Sequence, residues 1–182
     1  MTAPAARSFN VILANRQRSR AINLRSVCPI VQSLLRKLPG IRAANLGISL
    51  VAASEMTRLN ETFLQHAGST DVITFDYSEP GTRNSKLGTD LHGEIFICMD
   101  EAITQARRFR TSWQAEIVRY VVHGVLHLRG HDDHCPAARR EMKRAENRLL
   151  RSLAVAFDFR QLAQPRPLGR KSQIVISRPA FP

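Results

Sequence analysis

Strand-like runs and segments of helical periodicity take turns along this chain, and that interleaving narrows the possible folds more than any other feature. "SFNVILAN" (8–15), "NLGISLVAAS" (45–54), "TDVITFDY" (70–77) and "GEIFICM" (93–99) read as strands. Between them, 22–38 carries Ile22, Val27, Ile30, Val31, Leu34, Leu35 and Leu38 at helical spacing. It tolerates Pro29 only near its first turn, and Pro39-Gly40 ends it. A short helix is expected after Ser54-Glu55 in "EMTRLNETFL", and another over 100–109, where Asp100 and Glu101 suit a helix start. Residues 112–128 form a long helix with Ser112 as its N-cap. Residues 136–156 form a last one, with Ala138, Met142, Ala145, Leu149 and Leu153 as its core stripe and a wet basic side. Residues 78–90 are rich in turn formers and read as a loop. Strands alternating with helices over 182 residues, without repeats, imply an α/β (α+β) single domain: a small mixed sheet packed with helices.

Composition narrows the setting. No run of 18 apolar residues exists, so no membrane span is expected, and the N-terminal segment lacks a secretory core. Cys28, Cys98 and Cys135 are odd in number and widely spaced; they read as free thiols in a reducing compartment, the cytoplasm. The formal net charge is +12 and unevenly spread. The first 54 residues hold eight Lys/Arg and no acid, residues 134–182 hold eleven Lys/Arg against three acids, and the centre is net negative. An acidic centre between basic flanks suits a metal site inside a polyanion-binding surface.

"VVHGVLHLRGHDDHC" (121–135) holds four of the six histidines and two adjacent aspartates. His123 and His127 are four apart on the long helix, so their imidazoles project one turn apart on one face, a spacing at which two ring nitrogens reach one ion. Gly130 can end the helix in a left-handed conformation and turn the chain back. That places a metal site at the end of the long helix, and the spacing matches that of the metzincins. Asp133 fits as the third ligand, and His134 is the alternative. In metalloproteases the residue after the first histidine is a glutamate general base; here it is Gly124. Peptide hydrolysis is disfavoured, and the basic flanks favour a phosphodiester substrate.

"HGVLHLRGHDDH" resembles the H-G-x-L-H-L-x-G-x-D-H motif of the YbeY endoribonuclease family. "LNETFLQHAGSTDVITFDY" (59–77) and "HGEIFIC" (92–98) are similar to two further family segments, in matching order and spacing. The resemblance covers roughly residues 45–150. It implies a small α/β fold, one Zn2+ per chain, a groove for single-stranded RNA, and processing of the 3′ end of small-subunit (16S) ribosomal RNA. It further implies a role in late ribosome maturation and quality control, with rRNA and the small ribosomal subunit as partners and no membrane. Carried over by position, His123 and His127 fall on the first two histidine ligands. The family's third histidine falls on Asp133, or on His134 if a gap is opened. The catalytic domain spans 1–156, and 157–182 reads as a basic, Pro-containing, flexible tail.

Two departures from the family pattern stand out. Leu64 occupies a position where many members carry arginine, and His66 is a candidate substitute. Glu94 replaces an aspartate; it could act from behind a ligand or, like Asp132, serve as a proton acceptor. Arg139, Arg140, Lys143 and His66 are the candidate RNA contacts. Two other readings are a metzincin-like metalloprotease and a non-catalytic, zinc-containing ribosome-assembly factor.

Overall fold

Five strands and five helices follow one another in this computed structural model, which describes residues 7–78, 89–164 and 172–177. The strands are β1 (Ser8–Asn15), β2 (Ile41–Val51), β3 (Val72–Asp76), β4 (Thr89–Cys98) and β5 (Ser172–Ser177). The helices are α1 (Leu24–Lys37), α2 (Ala53–Leu59), α3 (Met99–Phe109), α4 (Trp113–Leu128) and α5 (Pro136–Ala156). The sheet runs β3-β4-β2-β1-β5, parallel where β4, β2 and β1 meet and antiparallel at β3/β4 and β1/β5. It is the mixed α/β architecture the sequence implies.

Side-chain parity decides which face is covered. Along β1, Phe9, Val11, Leu13 and Asn15 are buried while Ser8, Asn10, Ile12 and Ala14 alternate to a half-open face. The buried face joins the inner sides of α1, α4 and α5 in one core. α4 runs through its middle, packed on β3 and β4 and flanked by α1, α3 and α5. It is apolar on nearly every side, as a core helix must be. From Glu116 onward every α4 residue is buried except Arg119, His123 and His127, which stand at intervals of four and form one half-buried polar stripe, from which Arg119 and His123 reach α5.

Four local expectations shift. α1 begins at Leu24, so Pro29 sits in its second turn, where the helix goes without the bond its missing N–H would make to Arg25. The helix after Ser54 begins earlier, at Ala53, and winds into a π-helical turn over Asn60–Leu64. Of the loop read over 78–90, residues 79–88 lie outside the described residues and Thr89-Asp90 already belong to β4. Within the segment read as a tail, Phe159–Leu162 form a 3-10 turn and Ser172–Ser177 pair with β1 as β5; residues 165–171 and 178–182 lie outside the described residues. No described helix is long and apolar enough to cross a membrane.

Candidate metal centre

α4 ends as its sequence predicts. Gly130 takes φ +87°, its N–H donates to the His127 carbonyl, and the His131 N–H donates to the Leu126 carbonyl. This double capping bond reverses the chain and brings residues 131–134 back alongside the last turn. The reversal also delivers the His131 carbonyl to His127, whose Nδ1 lies 3.1 Å from it.

On the other ring, His123 Nδ1 lies 3.1 Å from Oε2 of Glu146 on α5. Glu146 is only 3% exposed. Burial favours its neutral form, but hydrogen bonds from His123, Lys143 and Arg119 outweigh that and hold its pKa at about 2. It is therefore a carboxylate, and both Nδ1 partners are acceptors. Each imidazole donates from Nδ1, so in its neutral form each offers a bare lone pair at Nε2. Those two lone-pair nitrogens lie 3.0 Å from each other. Burial, with His123 beside it, pushes the His127 pKa below the ordinary imidazole range and keeps the ring neutral. Two facing lone pairs repel unless a cation lies between them, so the donor set itself fits a metal ion.

Asp133 completes the group. Its Oδ2 stands 4.0 Å from His123 Nε2, and one ligating atom from each of His123, His127 and Asp133 lies within 4.8 Å of the others. Asp132 shapes the loop that presents it: its Oδ1 accepts from the backbone N–H of Asp133 at 2.7 Å and of His134 at 3.0 Å. The His134 backbone bond is the chief reason its pKa lies below the usual carboxylate value. Arg139 Nε donates to the Asp133 carbonyl at 3.1 Å and braces the loop from α5. The His134 side chain is 92% exposed and turns toward Asp132 rather than the histidine pair. Cys135, beside the site, caps α5, its Sγ accepting from the Ala138 N–H.

Other candidates fall elsewhere. Glu94 does not reach the histidines. Its strand neighbours Gly93 and Ile95 face Leu128 and Gly124 of α4, so alternation turns Glu94 to the opposite side of the sheet. There it lies over Gly47 and within 3.4 Å of the Tyr77 hydroxyl. Leu64 is 45% exposed at the end of the π-helical turn, and His66 is exposed just beyond it. Neither belongs to a metal-ligating group among the described residues. Arg140 is exposed on α5, whereas Lys143 reaches back to Glu146 at 2.8 Å. Sequence reading missed Glu146 and Arg119. Both carried a signal: Glu146 is four residues after Met142 and three before Leu149, a charge on the inward stripe, and Arg119 is one turn before His123.

Comparison with known proteins gives the family and the fold. The family model described as Endoribonuclease YbeY matches residues 12–154. A relative named Endoribonuclease YbeY from Chlorobium luteolum is 36% identical over 127 residues, covering 70% of this chain and 86% of its own. One of the same name from Salinibacter ruber is 35% identical over 118 residues, 64% of this chain and 75% of its own. Among solved structures, a solution structure of a Thermotoga maritima protein aligns with a TM-score of 0.56 at 21% identity, covering 80% of this chain and 90% of that one, a likeness of fold.

Proposed function

The chain belongs to the YbeY endoribonuclease family, and on that footing we propose that it is a metal-dependent endoribonuclease that cuts single-stranded RNA. In this reading His123, His127 and Asp133 hold one divalent ion, Zn2+. The observation that carries it is the pair of facing Nε2 lone pairs, each fixed by an acceptor on its own Nδ1. When bound, such an ion would lower the pKa of a water and offset phosphate charge.

The chain's own residues do the positioning. Glu146 holds the His123 tautomer, the His131 carbonyl holds that of His127, and Asp132 with Arg139 fixes the loop that carries Asp133. Arg139, Arg140 and Lys143 border this end of α5, where they meet phosphates of the strand, each contact weakening with salt. From the family we place the substrate in ribosomal RNA, at the 3′ end of the small-subunit (16S) rRNA. The setting is late ribosome maturation and quality control, with the small subunit as partner, in the cytoplasm. The catalytic domain in this reading is 1–156, followed by the basic, Pro-containing segment 157–182.

Peptide hydrolysis is the weaker reading on one observation. A Cβ at Gly124 would lie 2.7 Å from Ile95 Cγ2, so the position of the metalloprotease glutamate has no room for a side chain. The test is cleavage of labelled single-stranded RNA and of a peptide by the full chain, with and without chelator, beside His127→Ala. RNA cleavage that chelation abolishes, Zn2+ restores and His127→Ala lowers at least a hundredfold is expected. Equal cleavage by the variant, or cleavage of peptide alone, overturns the reading.

A further inference from the structure

Glu146 has two faces. Oε2 meets His123, while Oε1 takes Arg119 Nη1 and, at 2.8 Å, Lys143 Nζ. On the Arg119–Lys143 side, α3, α4 and α5 leave a cavity of about 590 Å3. Its cations are therefore one carboxylate and one imidazole away from the paired Nε2 atoms. The volume falls within the roughly 300–1,000 Å3 of small-ligand sites.

The lining has the features a nucleotide needs. Arg108, Arg119 and Lys143 bring three positive charges. Two acids share the wall. Glu116 is buried and already bonded by Thr111 and Arg119, while Asp71 accepts from its own neighbours Val72 and Thr70. Phe109, a residue 62% exposed, lines the cavity, and the Arg108 guanidinium lies 5.4 Å from its ring centroid. An exposed ring backed by a guanidinium is a stacking platform for a base. Gln105 adds a buried side-chain carbonyl with no hydrogen-bond partner among the described residues.

We propose that this cavity is a nucleotide subsite, taking a nucleotide next to the scissile phosphate of a single-stranded RNA, with its base on Phe109 and its phosphate among Arg108, Arg119 and Lys143. The proposal rests on the RNA reading above. It also accounts for strand selectivity, because only an unpaired base can swing out of the stack into such a cavity.

The test uses the full, Zn2+-loaded chain and a fluorescent single-stranded 2′-O-methyl oligonucleotide, read by anisotropy, with its integrity after binding checked on a gel. Phe109→Ala and Arg108→Ala alter exposed side chains that touch neither Glu146 nor the histidines, so folding and metal content stay as in wild type. Loss of one stacked base is expected to weaken binding about tenfold in Phe109→Ala. Arg108→Ala is expected to weaken it several-fold and to flatten its salt dependence. If the protein cleaves RNA while both variants bind and cleave as wild type does, the subsite is overturned and the endoribonuclease reading stands. If wild type fails to cleave RNA yet Phe109→Ala loses oligonucleotide binding, the cavity is a nucleotide-binding site, its placement beside a scissile phosphate is overturned, and the endoribonuclease reading falls.

Discussion

Replacing Glu146 by Gln keeps the shape of the side chain and removes only its charge and half of its acceptor capacity. The native carboxylate receives three donors, from His123 at 3.1 Å, Lys143 at 2.8 Å and Arg119. A glutamine amide has one oxygen and one NH2 and cannot serve both sides. If its oxygen turns to Arg119 and Lys143, the NH2 donates to His123 Nδ1. His123 then carries its proton on Nε2 and has no lone pair for a ligand role. If the amide flips, the NH2 faces the ammonium of Lys143 and the guanidinium of Arg119, donor against donor in a buried site. Either arrangement sacrifices at least one charge-assisted bond, worth about 1.5–3 kcal/mol. Loss of a carboxylate behind a ligating histidine commonly weakens metal affinity by about 10–100-fold, or about 1.4–2.8 kcal/mol, and the two estimates agree. Competition with a chromophoric Zn2+ chelator measures this directly, without reference to RNA. An affinity of Glu146→Gln within twofold of wild type, with an intact fold by circular dichroism, would refute the argument that Glu146 sets the His123 tautomer.

Two further outcomes follow from the same interior. Gly124→Ala would bring a Cβ within 2.7 Å of Cγ2 and 3.0 Å of Cδ1 of fully buried Ile95, between α4 and β4; overpacking costs about 1–3 kcal/mol, and the helix-propensity gain returns up to about 1. A Tm lowered by several degrees is expected, and calorimetry showing an unchanged or higher Tm contradicts it. In chelated protein, Glu146 titrates at about 2 when folded against 4.5 when free. A depressed folded pKa means its contribution, at most about 3 kcal/mol, is complete above the unfolded value and is lost as pH falls from 4.5 through about 2. The stability gap between wild type and Glu146→Gln, measured by urea unfolding, should therefore be constant from pH 7 to 5 and shrink below that; a gap that widens toward pH 3 has the wrong sign.

Local signals made α4 and α5 readable nearly to the residue. Ser112 caps α4 through the Ala115 N–H, Gly130 ends it, and Pro136 opens α5. The histidine pair was legible because spacing on a helix fixes direction. Glu94 was not, because "HGEIFIC" has apolar residues on both faces. At this end of β4 Phe96 and Cys98 join one buried cluster while Ile95 and Ile97 join the other. A strand covered on both sides does not announce which parity faces α4. β5 was hidden for another reason. Its apolar core Ile174–Val175–Ile176 is three residues long inside a basic, Pro-containing stretch, and only its antiparallel register with β1, more than 150 residues earlier in sequence, makes it a strand. Glu146 was legible in principle, as a charge on a stripe that otherwise faces inward, since a buried charge requires a partner, and Arg119 by its place one turn before His123.

The glycine after the first histidine and the glutamate on α5 answer one question from two sides. Rotation of about 100° per residue turns position 124 away from His123 and into Ile95 of β4, where no carboxylate fits. The acid that attends this histidine therefore comes from the opposite direction, across the α4–α5 seam, and reaches Nδ1 instead of the open side of the ring. A carboxylate so placed cannot take a proton from a water lying beside the two Nε2 atoms. It can only fix which nitrogen is bare. On the metal reading, the buried acid beside His123 has a positioning role, and metal affinity, rather than the pH dependence of a general base, is the property expected to be most sensitive to residue 146.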